Sequence, residues 1–141
     1  MASDILENTP DGVADLLYDT IKDKVVCDIG CGEGDFMKAL SRNAKKVIGI
    51  ESDKDRAKIA RKRGFKVYIR DSFFEKLPKA DVYYSWTRDS MGVYLKAKYE
   101  GTTGTFIFGF TKRKSLLQFL EDIGARKMSL GKLFDVYITE L

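Results

Sequence analysis

Histidine is absent from this sequence, and cysteine and proline occur only twice each. No apolar run approaches the roughly 20 residues that cross a bilayer as a helix. Each absence excludes something. Without histidine there is no Ser-His-Asp or Cys-His hydrolytic machinery. Two cysteines, Cys27 and Cys31, exclude a disulfide scaffold and leave too few soft ligands for a structural zinc site, so no metal is expected. Both thiols are expected to be reduced and buried. Two prolines among twelve glycines exclude a collagen-like or low-complexity chain. Met1-Ala2-Ser3-Asp4 lacks the charged-then-apolar pattern of a secretory signal, so the expected location is cytoplasmic, with no membrane association. The surplus of positive charge is small. Lys and Arg number 25 against 21 Asp and Glu, a net +4, which permits an anionic partner without demanding one.

What is present suits one globular domain over residues 1–141, with 44% hydrophobic and 33% charged residues. Thr9-Pro10 predicts a helix start, with Thr9 as N-cap and Pro10 in the first turn. Val13, Leu16, Leu17 and Ile21 then supply an apolar stripe. Val25 to Ile29 is a short apolar run of the kind that forms a buried parallel strand. A turn over Gly30-Cys31-Gly32-Glu33-Gly34 and a helix marked by Phe36, Met37 and Leu40 follow it. Further strands are predicted at 46–51, 65–69, 81–86 and 104–110. Asp53 is set to cap a helix that ends at Gly64. Met91, Tyr94, Leu95 and Tyr99 mark another helix, and Leu116 to Ile123 a last one stopped by Gly124. Strands near 125–130 and 133–140 form a hairpin around Gly131. Strands alternating with helices predict a three-layer α/β/α sandwich, Rossmann-like. Its seven-stranded, mostly parallel sheet ends in a C-terminal antiparallel hairpin. Ligands of such sheets bind beyond the strands' carboxyl ends, at the topological switch point.

Residues that carry chemistry fall at those ends. Asp28 to Gly34 bends the chain sharply and lets a ligand approach backbone. Glu51 closes the second strand about twenty residues after the loop begins, where a carboxylate accepts from both hydroxyls of a ribose. Asp71 closes the third strand and can accept from an adenine amine, with Ser72 beside it. A dinucleotide dehydrogenase needs glycine at position 35, where Asp35 stands, and has no histidine here to serve as acid.

The run Asp28-Ile29-Gly30-Cys31-Gly32-Glu33-Gly34 resembles the first motif, Asp-x-Gly-x-Gly-x-Gly, of the class I S-adenosylmethionine-dependent methyltransferases. Ile48-Gly49-Ile50-Glu51 resembles the second and Asp71-Ser72 the third. The resemblance extends over nearly the whole chain. It implies S-adenosyl-L-methionine as cofactor, held by Thr9, Asp28, Gly30, Cys31, Gly32, Gly34, Glu51, Ser52, Asp71, Ser72 and Ser85. Asp28 is then placed near the methionine amino group. The chemistry asks for in-line placement of donor and acceptor and for a route by which an amine loses its proton. Tyr84 and Trp86 are the catalytic candidates.

The acceptor is less constrained. Ser85-Trp86-Thr87-Arg88 departs from the Asn/Asp-Pro-Pro-Tyr/Phe of enzymes that methylate adenine or glutamine. Neither cysteine lies where a 5-methylcytosine nucleophile is needed. Thr9-Pro10, the pair Phe73-Phe74 and the small size resemble compact archaeal protein-lysine methyltransferases. That resemblance implies a macromolecular substrate, protein lysine ahead of RNA. The RNA alternative looks to Lys54, Arg56, Lys58, Arg61, Lys62 and Arg63 as a phosphate-binding patch. Three of these crowd the helix C-terminus, where the dipole favours cations anyway. Lys112, Arg113 and Lys114 are better placed for an anionic substrate. A small-molecule enzyme needs a lid, which only residues 1–12 and 86–92 can supply, and a cofactor-binding subunit without activity is the remaining alternative.

Overall fold

The computed structural model describes residues 8–109 and 113–141. Seven strands form one sheet in the order β3-β2-β1-β4-β5-β7-β6. Their bounds are β1 (Val25–Ile29), β2 (Lys46–Glu51), β3 (Lys66–Ile69), β4 (Val82–Ser85), β5 (Thr105–Gly109), β6 (Arg126–Leu130) and β7 (Phe134–Glu140). β1 to β5 run parallel to one another, and β7 runs antiparallel between β5 and β6. The expected Rossmann-like sandwich with its terminal hairpin is therefore the observed fold. The chain builds outward from β1 to β2 and β3, then crosses to β4, so the switch point lies between β1 and β4.

Alternation along the strands divides the core in two. Val26, Val47, Val82, Tyr84, Ile107 and Val136 face α1 (Gly12–Leu16), α2 (Tyr18–Ile21), α3 (Asp35–Leu40) and α4 (Lys54–Lys62). Cys27, Ile29, Ile50, Tyr83, Phe106 and Phe108 face α5 (Ser90–Tyr99) and α6 (Lys114–Asp122). Both thiols are buried and free. Gly104 (φ +129°) shows how close the packing is, since a Cβ there would meet the Asp81 carbonyl at 2.7 Å.

The first helix departs from expectation in two ways. It starts at Gly12 rather than behind a Thr9 cap, because Thr9 turns inward to a buried hydroxyl partner, and the helix breaks at Leu17 into α1 and α2. On α5 the buried face is Ser90, Val93, Tyr94 and Ala97, whereas Leu95 and Tyr99 are exposed. Apolar residues surround that helix, and periodicity alone selects no face. Phe110 and Lys112 fall outside the described residues, as do residues 1–7 of the expected lid. Asp53 caps α4 as expected, its Oδ1 accepting from the Asp55 and Arg56 amides at 2.9 and 3.1 Å. Among the described residues no helix is long and apolar enough to cross a membrane. None of their His, Cys, Asp or Glu residues cluster so as to hold a metal ion.

Candidate active site

The parallel strands bring their carboxyl ends to one edge, and register aligns the groups there. Asp28 of β1 lies between Gly49 of β2 and Tyr84 of β4. The turn after β1 folds back onto β2, with the Gly30 and Cys31 amides both donating to the Ile50 carbonyl at 2.8 and 3.0 Å. The turn can lie so low only because β2 carries glycine beneath it. A Cβ on Gly49 would stand 2.6 Å from the Cys31 sulfur and 2.9 Å from that of Met37. Gly30, Gly32 and Gly34 all have positive φ, at 75°, 58° and 92°, which other residues adopt only at a cost.

Glu51 ties the turn to the next helix. Its Oε1 accepts from the Gly32 amide at 2.8 Å and its Oε2 from the Asp53 amide at 2.9 Å. Each oxygen keeps a lone pair for a ligand hydroxyl. Asp28 is in a different condition. It is only 3% exposed, lines the cavity and makes no hydrogen bond to any described residue. Burial, reinforced by the charge of Glu51, pushes its pKa up to about 8.

β4 contributes Tyr84 and, just past its end, Trp86. The Tyr84 hydroxyl lies 2.8 Å from the Thr9 hydroxyl, and its ring packs against Phe36 at 4.8 Å. Burial pushes its ionisation well above the ordinary phenol range. It therefore stays protonated and cannot take a proton from an acceptor amine; its observed part is to hold Thr9. Trp86 is half-buried and meets Phe134 edge-to-face at 4.9 Å. Its Nε1 is a buried donor with no partner among the described residues.

Beyond β3, the Asp71 Oδ1 accepts from the Phe73 amide at 2.9 Å. Arg70 lies 4.6 Å over the Tyr68 ring and donates to the Lys76 carbonyl. The basic residues of α4 take separate parts. Arg61 donates to the Val67 carbonyl, and Arg63 to the Glu33 carbonyl and Asp35, so these two brace loops. Arg56 lies across Gly32 and faces the cavity.

These groups enclose an open cavity of about 380 Å³ at the switch point. Residues 26–93 match the family described as "Methyltransferase domain". No curated protein sequence matches the chain significantly. Solved structures of similar fold include an RNA methyltransferase from Salinibacter ruber in complex with S-adenosyl-L-homocysteine, 20% identical with a TM-score of 0.68, covering 94% of this chain and 92% of that one. Magnesium protoporphyrin IX methyltransferase from Synechocystis, with bound S-adenosylmethionine, is 17% identical with a TM-score of 0.65, covering 92% and 76%. A ribosomal protein methylase from Lactobacillus delbrueckii is 15% identical with a TM-score of 0.66, again covering 92% and 76%. Residues 26–93 thus match a methyltransferase domain, within a chain that has the Rossmann-like methyltransferase fold.

Of the residues expected around a cofactor, Thr9, Asp28, Gly30, Cys31, Glu51, Ser52, Asp71 and Ser72 line the cavity, together with Tyr84 and Trp86. Gly32, Gly34 and Ser85 are not among its lining residues. Gly32 donates to Glu51 under the Arg56 guanidinium, and Gly34 starts α3 against Phe65. Ser85 is fully buried with its hydroxyl 2.7 Å from that of Ser90. The sequence reading missed Asn8, Phe36, Ile50, Arg70, Thr87 and Asp89, and it assigned Arg56 to a surface patch. Arg56 and Arg70 carried a usable signal, since each lies within five residues of an expected acid at a strand end.

Proposed function

We propose that this methyltransferase transfers a methyl group from S-adenosylmethionine to the side-chain amine of a protein lysine. The observation that carries the cofactor half is the pairing of Glu51, oriented by two backbone donors, with Asp28, a buried carboxyl that has no hydrogen-bond partner among the described residues. Glu51 suits the ribose hydroxyls. Asp28 suits the methionine ammonium, whose charge supplies what the protein withholds. Asp71 and Ser72 suit the adenine edge, and the Thr9 side chain, held by Tyr84, bounds the recess. When bound, the cofactor supplies an activated methyl on a cationic sulfonium.

The acceptor half rests on charge and access. Beyond Asp28, Glu51 and Asp71, which the cofactor takes, the cavity lining holds the exposed Asp89, a carboxylate that favours a cationic side chain. The cavity is open, which suits an acceptor carried on a large molecule. Asp89 at the mouth and solvent are the routes by which the amine loses its proton, since Tyr84 is closed to that part. Ser85-Trp86-Thr87 after β4 offers no Asn-Pro-Pro-Tyr platform for an adenine or amide nitrogen.

The test is transfer of tritiated methyl groups to cell extract, divided between protease and nuclease treatment, with the Glu51→Ala protein as control. Protease-sensitive label that appears as methyl-lysine on hydrolysis is the expected result. Nuclease-sensitive label assigns RNA as the acceptor and overturns the lysine reading.

A further inference from the structure

We infer that the acceptor lysine lies in an acidic segment of its protein, and that Arg88, Arg113 and Lys114 determine this specificity. The inference rests on the lysine reading above. Arg88 stands between Thr87 and Asp89, both of which line the cavity. Its Cα is therefore about 3.8 Å from each of theirs, and its side chain is exposed. Arg113 comes from the start of α6, a distant part of the chain. Its guanidinium donates to the Arg88 carbonyl at 3.1 Å, which fixes a second cation at the same rim. Lys114 follows on the first turn of α6, which carries no acidic residue.

None of these three cations pairs with a carboxylate among the described residues. Elsewhere on the surface Arg42, Arg63, Lys96 and Lys127 do, with Asp11, Asp35, Glu100 and Asp135. The site thus has two electrostatic zones, an interior rich in carboxylates and a rim of unpaired cations. A lone cation is served by the first zone and repelled by the second. A lysine flanked by Asp or Glu is served by both. Rim charges act chiefly on encounter and weak binding, and are screened by salt.

The experiment uses the whole protein with S-adenosylmethionine and three synthetic peptides, each holding one lysine flanked by Asp and Glu, by Ser and Gly, or by Arg. The expected order of KM is acidic lowest and basic highest, narrowing as salt rises. Lys114→Glu and Arg113→Glu each raise KM for the acidic peptide about fivefold or more, with kcat and calorimetric cofactor affinity held. Arg113→Lys retains the preference. The Lys114 side chain makes no hydrogen bond to a described residue, so its variant separates charge from any disturbance of the Arg88 loop. Equal KM for the three peptides, or a preference for the basic one, overturns the inference and leaves the lysine reading standing. Cofactor binding without methylation of any peptide overturns both. Transfer to a single-stranded oligouridylate instead assigns the same cations to phosphates and overturns the inference.

Discussion

With Asp28 as the proposed partner of the methionine ammonium, cofactor affinity is expected to depend on pH in a definite direction. Its carboxyl is 3% exposed and keeps its proton up to about pH 8, through burial first and the charge of Glu51 second. A cationic ligand beside it favours the carboxylate, so binding below pH 8 must expel a proton. At pH 7 about one molecule in ten is ionised, and the cost of ionising the rest is about 1.4 kcal/mol. Affinity should therefore fall nearly tenfold for each pH unit below 8, until the lower pKa of the complex is reached. The ligand's own α-amino group loses charge near pH 8, with an opposite effect. The informative quantity is thus the ratio of wild-type to Asp28→Asn affinity, in which that titration cancels. Calorimetry at pH 6, 7 and 8 in buffers of different ionisation enthalpy measures it, with release of nearly one proton expected at pH 7. Stability moves the other way with pH. The unfolded chain ionises Asp28 near 3.8, so the native state holds an extra proton between about pH 4 and 8, and stability falls as pH rises through that window. A ratio independent of pH, or proton uptake on binding, would refute both the elevated pKa and the placement of the ligand's positive charge.

Three other perturbations separate parts of the structure. Glu51→Ala removes a charged acceptor from two amides, a loss of about 1.5–3 kcal/mol for each charged hydrogen bond. Cofactor affinity should fall at least tenfold, and unchanged affinity excludes a ribose contact. Tyr84→Phe leaves Thr9 without its buried partner and should cost about 1 kcal/mol of stability while methyl transfer continues. Intact cofactor binding with abolished transfer would return the phenol to a catalytic part. Gly104→Ala forces a side chain to φ +129° and to 2.7 Å from the Asp81 carbonyl, with an expected cost of about 1–3 kcal/mol. The melting temperature should drop while cofactor affinity, set at the opposite ends of the strands, is unmoved.

Most of the fold was legible because its signals are local. Five of the strands are short apolar or β-branched runs with a glycine, an acid or a charged pair at each end, and the hairpin around Gly131 is marked by a single turn. Asp28, Glu51 and Asp71 were legible for the same reason, since each ends a strand whose direction follows from the alternation of elements. What was missed depends on distance along the chain. Thr9 and Tyr84 are 75 residues apart, and no local pattern says that a threonine before a proline will leave the helix it seems made to cap. On α5, Val93 and Tyr94 are buried while Leu95 and Tyr99 face solvent. Apolar side chains on every face of that helix deprive periodicity of contrast, and only the sheet beneath decides between them.

The net charge of +4 conceals an uneven distribution of acids and cations around the site. Carboxylates gather at the strand ends because parallel strands deliver their last residues to one edge, where Gly32 and Asp53 donate to Glu51 and no described residue donates to Asp28. Cations gather on the loops after β4 and β5, one step further from the sheet. A sheet end is rigid, so its acids can be held in low dielectric and tuned by burial. A loop is solvated, so its cations act through their field and are open to screening. Cofactor recognition should accordingly resist salt and respond to pH, and acceptor recognition should do the reverse. One titration of each, on the same protein, distinguishes the two zones without knowledge of the natural substrate.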